Sequence, residues 1–150
     1  PRLIIADEPT TALDVTIQAQ LLDLLGRIRE QSGMSVILVT HDLGVVASFA
    51  QRVQVMYAGQ IVEAAETFAL FREAKHPYTQ GLLSAVPVAD PIYERSHQRI
   101  PMDGEVPSPV NPGAGCRFCS RCSRATARCR EETPELVRVA ENHFVACHNL

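Results

Sequence analysis

Two short apolar runs, separated by one amphipathic pattern, constrain the fold of this chain more than any other feature. The runs are Leu3 to Ala6 and Ser35 to Thr40 (SVILVT), and a continuous apolar run is typical of a strand buried on both faces. Between them, one face of a helix is marked by Ile17, Leu21, Leu24 and Ile28. A strand, a helix and a second strand form a βαβ unit, so we predict two parallel neighbouring strands in an α/β sheet.

The limits of this helix and the elements after it follow from local signals. Asp14 is a residue type that caps helix starts, and Gly33 suits the left-handed conformation that ends a helix. The downstream pattern predicts a helix over about 41–50, strands over 52–59 and 60–66 that turn near Ala58 and Gly59, and helices over 67–73 and 78–86.

Composition places the chain among globular proteins, with 46% hydrophobic and 21% charged residues. A net charge of -3 excludes a global positive field that would recruit nucleic acid or an anionic membrane surface. No apolar stretch approaches the roughly 18 residues that span a bilayer, and the start lacks the pattern of a signal peptide, so we predict a cytoplasmic protein. The chain also lacks an initiator methionine and starts inside a predicted strand, which suggests a fragment whose upstream part is missing.

Polar residues follow both predicted strands at the point where each strand ends. Asp7 and Glu8 follow the first strand, and His41 follows the second. Because parallel neighbours present their carboxyl ends at one sheet edge, where ligands bind in α/β folds, we expect Glu8 and His41 to be adjacent. Asp7 can hold Mg²⁺, Glu8 can orient or deprotonate a water that attacks a phosphate, and His41 can hydrogen-bond that phosphate. The alternatives are an acidic loop start and a helix-entry histidine.

These residues carry a resemblance to a known family. LIIADEPTTALD, followed one helix later by VILVTHD, is similar to the second half of an ATP-binding-cassette (ABC) nucleotide-binding domain, over about the first 65 residues. The resemblance implies that Asp7 is the Walker B aspartate, Glu8 the catalytic glutamate and His41 the switch histidine. Residues 11–14 resemble the D-loop, which implies that Asp14 lies near bound nucleotide at the interface of two such subunits.

Two further segments narrow the resemblance. MYAGQIVE resembles the strand pair that closes this domain, and KHPYTQGLLSAVP resembles the oligopeptide/dipeptide (peptide/nickel) importers. This resemblance implies the ATP-hydrolysing subunit of an importer that acts with ATP and Mg²⁺, peripherally on the cytoplasmic face of the plasma membrane. The implied partners are a second ATP-binding subunit, membrane permease subunits and, indirectly, an extracytoplasmic substrate-binding protein. The residues alone predict a helix broken at His76 and Pro77 and restarted at Tyr78, and a purely structural helix pair is the alternative for KHPYTQGLLSAVP.

Two motifs of a complete ABC ATPase do not occur in the sequence. None of the eight glycines belongs to a G-x-x-x-x-G-K-[ST] phosphate loop, and there is no LSGGQ-like signature. Without the backbone donors of that loop, we expect the isolated chain neither to bind ATP tightly nor to hydrolyse it, although the parent protein would do both.

The composition changes after the predicted helices. Six of the ten prolines lie at positions 87, 91, 101, 107, 109 and 112, which is typical of a linker. All five cysteines follow. We therefore predict an α/β fold, the C-terminal part of a P-loop NTPase of the ABC type, followed by a small cysteine-rich module. The predicted parts are a nucleotide-binding part (1–65), a helical extension (66–86), a proline-rich linker (87–115) and a cysteine-rich metal-binding module (116–150).

Cysteines in a cytoplasmic chain are more often metal ligands or free thiols than disulfides. The C-x-x-C-x-x-C spacing suits zinc or an iron–sulfur site, and the module has too few apolar residues for a core of its own, so a metal would supply folding free energy. The cysteine-rich tail resembles that of the same family, and the resemblance implies a ligand set of Cys116, Cys122, Cys129 and Cys147. The family commonly has a residue other than cysteine at the place of Cys119. On resemblance we favour a 4Fe-4S cluster over Zn²⁺; reduced, metal-free thiols are the other alternative.

The remaining polar residues of the module allow several interpretations. The five arginines over residues 117–130 can offset the charge of a cluster, form a solvated face or contact nucleic acid. With Phe118 the one aromatic residue among them, we expect no nucleic-acid partner. His143 and His148 are alternative ligands, although an exposed polar tail is the simpler expectation. As a whole, the chain is either part of an ATPase that powers import of peptide, or of nickel, or a non-catalytic metal-stabilised docking or regulatory module.

Overall fold

The computed structural model of this chain describes residues 1–88, 90, 98–108, 110 and 112–150. These residues fall into two units, unit 1 (Pro1–Gln51) and unit 2 (Arg52–Leu150), a division at residue 51 that the sequence did not predict. No helix within the described ranges has both the length and the apolar character needed to cross a bilayer.

Unit 1 is the βαβ unit that the apolar pattern predicts, followed by one more helix. Its elements are β1 (Leu3–Asp7), α1 (Val15–Ser32), β2 (Ser35–Val39) and α2 (Leu43–Phe49). β1 and β2 are parallel, in a register that runs from Leu3 opposite Ser35 to Asp7 opposite Val39, which confirms the predicted pairing. The register places the residues that follow the two strands side by side.

The ends of α1 lie where the sequence predicts them. The Asp14 side chain accepts hydrogen bonds from the backbone N–H groups of Thr16 and Ile17 at 2.9 and 3.0 Å, and Gly33 ends the helix in the left-handed conformation at φ 64°. The predicted apolar face is only partly correct, because Ile17 and Leu24 are 44% and 46% exposed. Leucines over residues 21–25 spread around a wide arc of the helix, and the half-buried ones are Leu21, Leu22 and Leu25.

The expectation that both strands of unit 1 are buried on both faces is wrong within the described residues. Burial alternates along β1 and β2, and one face of this two-stranded sheet is open. Its apolar side chains are Leu3, Ile5, Ile37 and Val39, which are 46%, 66%, 49% and 47% exposed. A strand is buried on both faces only where other layers of structure cover both faces of its sheet. The helices of unit 1 cover no more than one face of this sheet.

Unit 2 is built on a four-stranded antiparallel sheet of order β3-β4-β6-β5. Its elements are β3 (Arg52–Tyr57), β4 (Gln60–Glu66), α3 (Thr67–Glu73), α4 (Pro77–Ser84), a 3₁₀ turn (Cys119–Arg121), α5 (Ala127–Glu131), β5 (Val137–Ala140) and β6 (His143–Val145). The predicted turn at Ala58 and Gly59 joins β3 to β4, with φ angles of 46° and 79° that suit a tight hairpin.

The core of unit 2 is formed by residues that are distant from one another in sequence. Its buried apolar residues are Val55, Tyr57, Val62, Ala65, Leu70 and Phe118. Phe118 comes from the cysteine-rich segment, and β6 pairs with β4 through Glu63 opposite Val145. The segment has no core of its own, as the sequence suggests, but it contributes to a core that it shares with the hairpin. The predicted boundaries at 65, 86 and 115 stay predictions, and residues 89, 91–97, 109 and 111 of the predicted linker lie outside the described residues.

Candidate functional site

The carboxyl ends of β1 and β2 bring Glu8 and His41 together. The backbone N–H of Glu8 donates to the carbonyl of Val39 at 2.8 Å, which extends the strand pairing by one residue and fixes the start of the loop. Glu8 has a φ of 44°, in the left-handed region that a residue with a side chain seldom adopts. Backbone strain of this kind is concentrated at functional sites, where the surrounding structure maintains it.

Both carboxylate oxygens of Glu8 have a hydrogen-bond partner. Oε1 lies 3.0 Å from Nδ1 of His41, and Oε2 accepts from the Thr11 hydroxyl at 2.8 Å. The His41 hydrogen bond, followed by that of Thr11, lowers the pKa of Glu8 below its ordinary value. The carboxylate is therefore ionised at neutral pH and is held in one orientation at the open edge of the sheet.

Asp7 and Asp14, the other predicted site residues of unit 1, have different surroundings. Asp7 is the last residue of β1, where it lies opposite Val39 with an exposed side chain. Asp14 is also exposed, and its Oδ1 is occupied as the cap of α1. The structure thus groups Asp7 with Glu8 and His41 at the strand ends, and it gives Asp14 a structural role at the end of the same loop.

Thr11 contacts Glu8 of this site, and Gln18 contacts Asp42, the residue after His41; the sequence analysis identified neither contact. Thr11 was placed only in a D-loop resemblance, although a hydroxyl three residues after a carboxylate in a turn is a recurrent hydrogen-bond pattern. Gln18 Nε2 donates to Asp42 Oδ2 at 3.3 Å, while Asp42 Oδ1 caps α2 through Gly44 at 2.8 Å. This pair links α1 to the residue after His41, and no local pattern in the sequence indicates it.

The cysteine-rich segment brings four of its thiols to one open cavity of about 590 Å³. The lining includes Cys116, Cys119, Cys122 and Cys129, together with Arg117 and Arg130. The fourth predicted ligand, Cys147, is not among the described lining residues, and Cys119 takes a place there that the resemblance does not assign to it. All five cysteines are free thiols.

The surroundings of the sulfur atoms differ from one thiol to another. Sγ of Cys129 lies 3.3 Å from the Thr126 hydroxyl and 3.5 Å from Nδ2 of Asn149, both of which can donate to a thiolate. Burial raises the pKa of Cys116 and of Cys147 above the ordinary value. Thiols are the donors that zinc and iron–sulfur clusters take, so the donor chemistry fits either. The positions do not, because no three Cys, His, Asp or Glu residues of the described chain are arranged to hold a metal ion.

His143 is wrongly predicted as part of an exposed tail. It is 4% exposed in β6, and its Nε2 lies 2.7 Å from Oε1 of Glu63, a carboxylate that is 0% exposed. His148 is half-buried and contacts the carbonyl of Glu132 at 2.9 Å. A buried carboxylate requires partners of this kind, and Glu63 lies 80 residues from His143 in sequence, beyond the reach of any local pattern.

Comparisons with known proteins agree with these motifs. Residues 62–129 match the family described as the oligopeptide/dipeptide transporter, C-terminal region. The chain is 44% identical over 147 residues to the oligopeptide transport ATP-binding protein OppF of Haemophilus influenzae, covering 98% of this chain and 44% of that protein. It is 46% identical over 148 residues to the oligopeptide transport ATP-binding protein AppF of Bacillus subtilis, covering 99% of this chain and 45% of that protein. The chain thus spans less than half the length of these relatives.

Proposed function

Because this chain belongs to the family of oligopeptide ABC-transporter ATP-binding subunits, we propose that its parent protein hydrolyses ATP to energise the import of peptides. The observation that carries the proposal is the Glu8–His41 contact of 3.0 Å at the ends of two parallel strands. An ionised carboxylate fixed at such an edge suits a base for the water that attacks a terminal phosphate. The alternative of a non-catalytic module has no comparable geometry in its favour.

In the proposed mechanism, each residue at this edge of the sheet has a different role in hydrolysis. Glu8 orients the attacking water and accepts its proton, and His41 hydrogen-bonds the terminal phosphate while it remains within reach of Glu8. Asp7, with an exposed carboxylate at the end of β1, would hold Mg²⁺. When bound there, Mg²⁺ would neutralise charge on the phosphates of ATP. Asp14 lies near the interface with a second ATP-binding subunit, where its carboxylate also maintains the end of the loop.

The partners of the parent protein follow from its family. We propose that it works as a pair of ATP-binding subunits on the cytoplasmic face of the plasma membrane, against membrane permease subunits, with substrate delivered by an extracytoplasmic binding protein. Peptide is favoured over nickel because the family that matches residues 62–129 is an oligopeptide/dipeptide transporter family and the curated relatives carry oligopeptide names.

The thiol cavity supports a separate, structural proposal. A metal bound by Cys116, Cys122, Cys129 and Cys147, as a 4Fe-4S cluster or as Zn²⁺, would stabilise the segment. Binding would require Cys147, which does not line the cavity, to move towards the other three thiols. Support comes from the donor set and from Thr126 and Asn149, whose contacts with Sγ of Cys129 favour the thiolate. Anaerobic purification followed by iron, sulfide and zinc analysis tests it, and metal-free protein that is well folded contradicts it.

Substitution of Glu8 in the complete protein tests the proposed ATPase. Glu8→Gln keeps the shape of the side chain but removes the base, so ATP binding is retained and the hydrolysis rate falls by about 10²- to 10⁴-fold. Glu30→Gln, the same chemical change at an exposed position of α1, is the matched control and is expected to keep full turnover. Unchanged turnover in Glu8→Gln removes Glu8 from this role.

A further inference from the structure

The proposed ATPase leaves one family motif without a role, the HPY segment formed by His76, Pro77 and Tyr78. Its backbone is fixed by Glu63 of β4, whose side chain is completely buried. Oε1 of Glu63 accepts from the N–H of Lys75 at 2.7 Å, and Oε2 accepts from the N–H of His76 at 3.0 Å. Because both oxygens of one side chain accept from consecutive backbone N–H groups, the entrance to α4 is held firmly on the sheet.

The imidazole of His76 fixes the first turn of α4. Nδ1 accepts from the N–H of Tyr78 at 3.1 Å, in the manner of an N-cap, and Pro77 occupies the first helical position. Burial lowers the pKa of His76 to about 4, so the ring is neutral at physiological pH and Nδ1 remains an acceptor. The ring is 1% exposed and is oriented by this bond.

The two rings of the HPY segment contact one residue of the cysteine loop, which we define as residues 116–122. The ring of Phe118 lies 5.7 Å from that of His76, 5.5 Å from that of Tyr78 and 5.1 Å from that of Tyr57, between ring centroids. Phe118 is 2% exposed. Tilted and edge-on ring pairs at these separations are favourable beyond the apolar area that they bury.

Phe118 is well placed to fix the thiols, because it lies between Cys116 and Cys119 in sequence. The N–H of Cys119 donates to the carbonyl of Cys116 at 3.0 Å, and that of Arg121 donates to the carbonyl of Phe118 at 3.0 Å. A second contact runs from Arg124, just beyond the loop, to Gln80 of α4 through Nη2 and Oε1. The loop is thus joined to α4 both by rings and by a polar contact.

We propose that the HPY segment is the docking site of the cysteine loop, and that its contact with Phe118 positions the thiols of Cys116, Cys119 and Cys122. Hydrogen bonds to Glu63 and the His76 cap fix the positions of the two rings. The rings pack against Phe118, and Phe118 lies in the turn that carries the thiols. The proposal is independent of ATP hydrolysis and of whether a metal binds.

Amide hydrogen exchange on the protein tests the coupling. Phe118→Ala is expected to raise exchange at the amides of Cys119, Arg121 and Gln80 about tenfold more than at the amides of β3 and β4. The matched control is Leu70→Ala, which truncates a residue of the same core that is 1% exposed. It is expected to raise exchange by a similar factor in α4, in the loop and in the two strands.

Two outcomes overturn the proposal: Phe118→Ala that raises all these amides equally, or Phe118→Ala that affects the loop and leaves Gln80 as in the wild type. Phe118→Leu keeps most of the apolar volume and is used if the alanine variant does not fold. The same selective pattern, with a smaller increase, is then expected, and its absence counts against the docking site.

The reverse experiment starts from the HPY segment and reads the thiols. Tyr78→Ala is expected to raise the rate of iodoacetamide alkylation at Cys116, Cys119 and Cys122 by about tenfold, resolved by peptide mass spectrometry, because the loop opens locally more often. Phe68→Ala removes an aromatic ring that is 76% exposed on α3 and is expected to leave these rates unchanged. Alkylation rates in Tyr78→Ala equal to those of the wild type contradict the proposal.

Discussion

Glu8 is constrained at three points: its left-handed backbone, its N–H on Val39 and its two carboxylate oxygens. A carboxylate with a partner on each oxygen is less basic than a free one, which is the meaning of its lowered pKa. If Glu8 acts as a base, it gains strength when His41 turns toward a phosphate and Oε1 becomes available to water. In that role, the same contact would orient Glu8 before nucleotide binds and would limit its basicity for as long as His41 occupies Oε1.

His76 makes the stability of unit 2 sensitive to acid. Its pKa is 6.5 without burial and about 4 in the fold, so between these values the unfolded chain binds the proton and the folded chain does not. Stability therefore falls as the pH falls through this window, by about 3 kcal/mol for this group. We expect urea unfolding at a series of pH values to show the loss, and a His76→Asn variant to lack it, since asparagine caps helices but does not titrate.

The control for His76→Asn is a second histidine of unit 2. His148→Asn changes a half-buried ring outside the α4 cap and leaves that cap intact. We expect it to keep the loss of stability that His76 causes. An acid dependence in His76→Asn as steep as that of the wild type would show that another group is responsible.

At the scale of the elements, the backbone just before the cysteine loop packs against α5 at a position that requires glycine. Gly115 has a φ of 103°, and a Cβ placed there would lie 2.6 Å from the carbonyl oxygen of Arg130. Gly115→Ala adds both backbone strain and a clash with backbone, so we expect a loss of about 2–4 kcal/mol in the free energy of unfolding. Urea unfolding measures it, and faster exchange of the Cys116 amide, which donates to the Cys129 carbonyl at 2.8 Å, locates it.

Gly113 provides a matched control for this substitution. It lies two residues away, and a Cβ there would meet no described atom within 4 Å. Gly113→Ala is expected to change stability by no more than about 0.5 kcal/mol, the range of exposed substitutions. Equal effects of the two variants would contradict the close approach at Gly115.

The elements of unit 1 were predictable because each has a strong local signal. Apolar runs mark β1 and β2, helical periodicity marks α1, and Asp14 and Gly33 mark its ends. The proximity of Glu8 and His41 was predictable from the parallel pairing alone. β5 and β6 have four and three residues and no clear alternation, so the pairing of β6 with β4 was not visible in the sequence. Nor was the Glu63–His143 contact, which depends on that pairing.

At the scale of the whole molecule, the proposed catalytic residues lie in unit 1 and the proposed docking site of the cysteine loop lies in unit 2. Unit 1 presents Asp7, Glu8 and His41 at a sheet edge, but its strands expose Ile5 and Ile37 to 66% and 49%. In unit 2, by contrast, the buried core links the hairpin, α3 and the cysteine loop. A chain that spans 44–45% of its relatives can therefore contain a well-packed unit and an incompletely covered one.

Because the phosphate-loop and signature motifs do not occur in these 150 residues, we predict that they do not hydrolyse ATP on their own. In the proposed mechanism, Glu8, His41 and Asp7 would act on the terminal phosphate and on Mg²⁺. The phosphates themselves would be held by backbone N–H groups of a glycine-rich loop that this sequence does not contain. We expect the purified chain to show no saturable binding of a fluorescent ATP analogue at micromolar concentrations and no phosphate release above the Glu8→Gln variant. The positive control is the same chain preceded by a segment that contains the G-x-x-x-x-G-K-[ST] loop and the signature motif, which is expected to restore both activities. Turnover by the 150 residues alone that is lost in Glu8→Gln would mean that phosphate is held by residues of this chain that we have not identified.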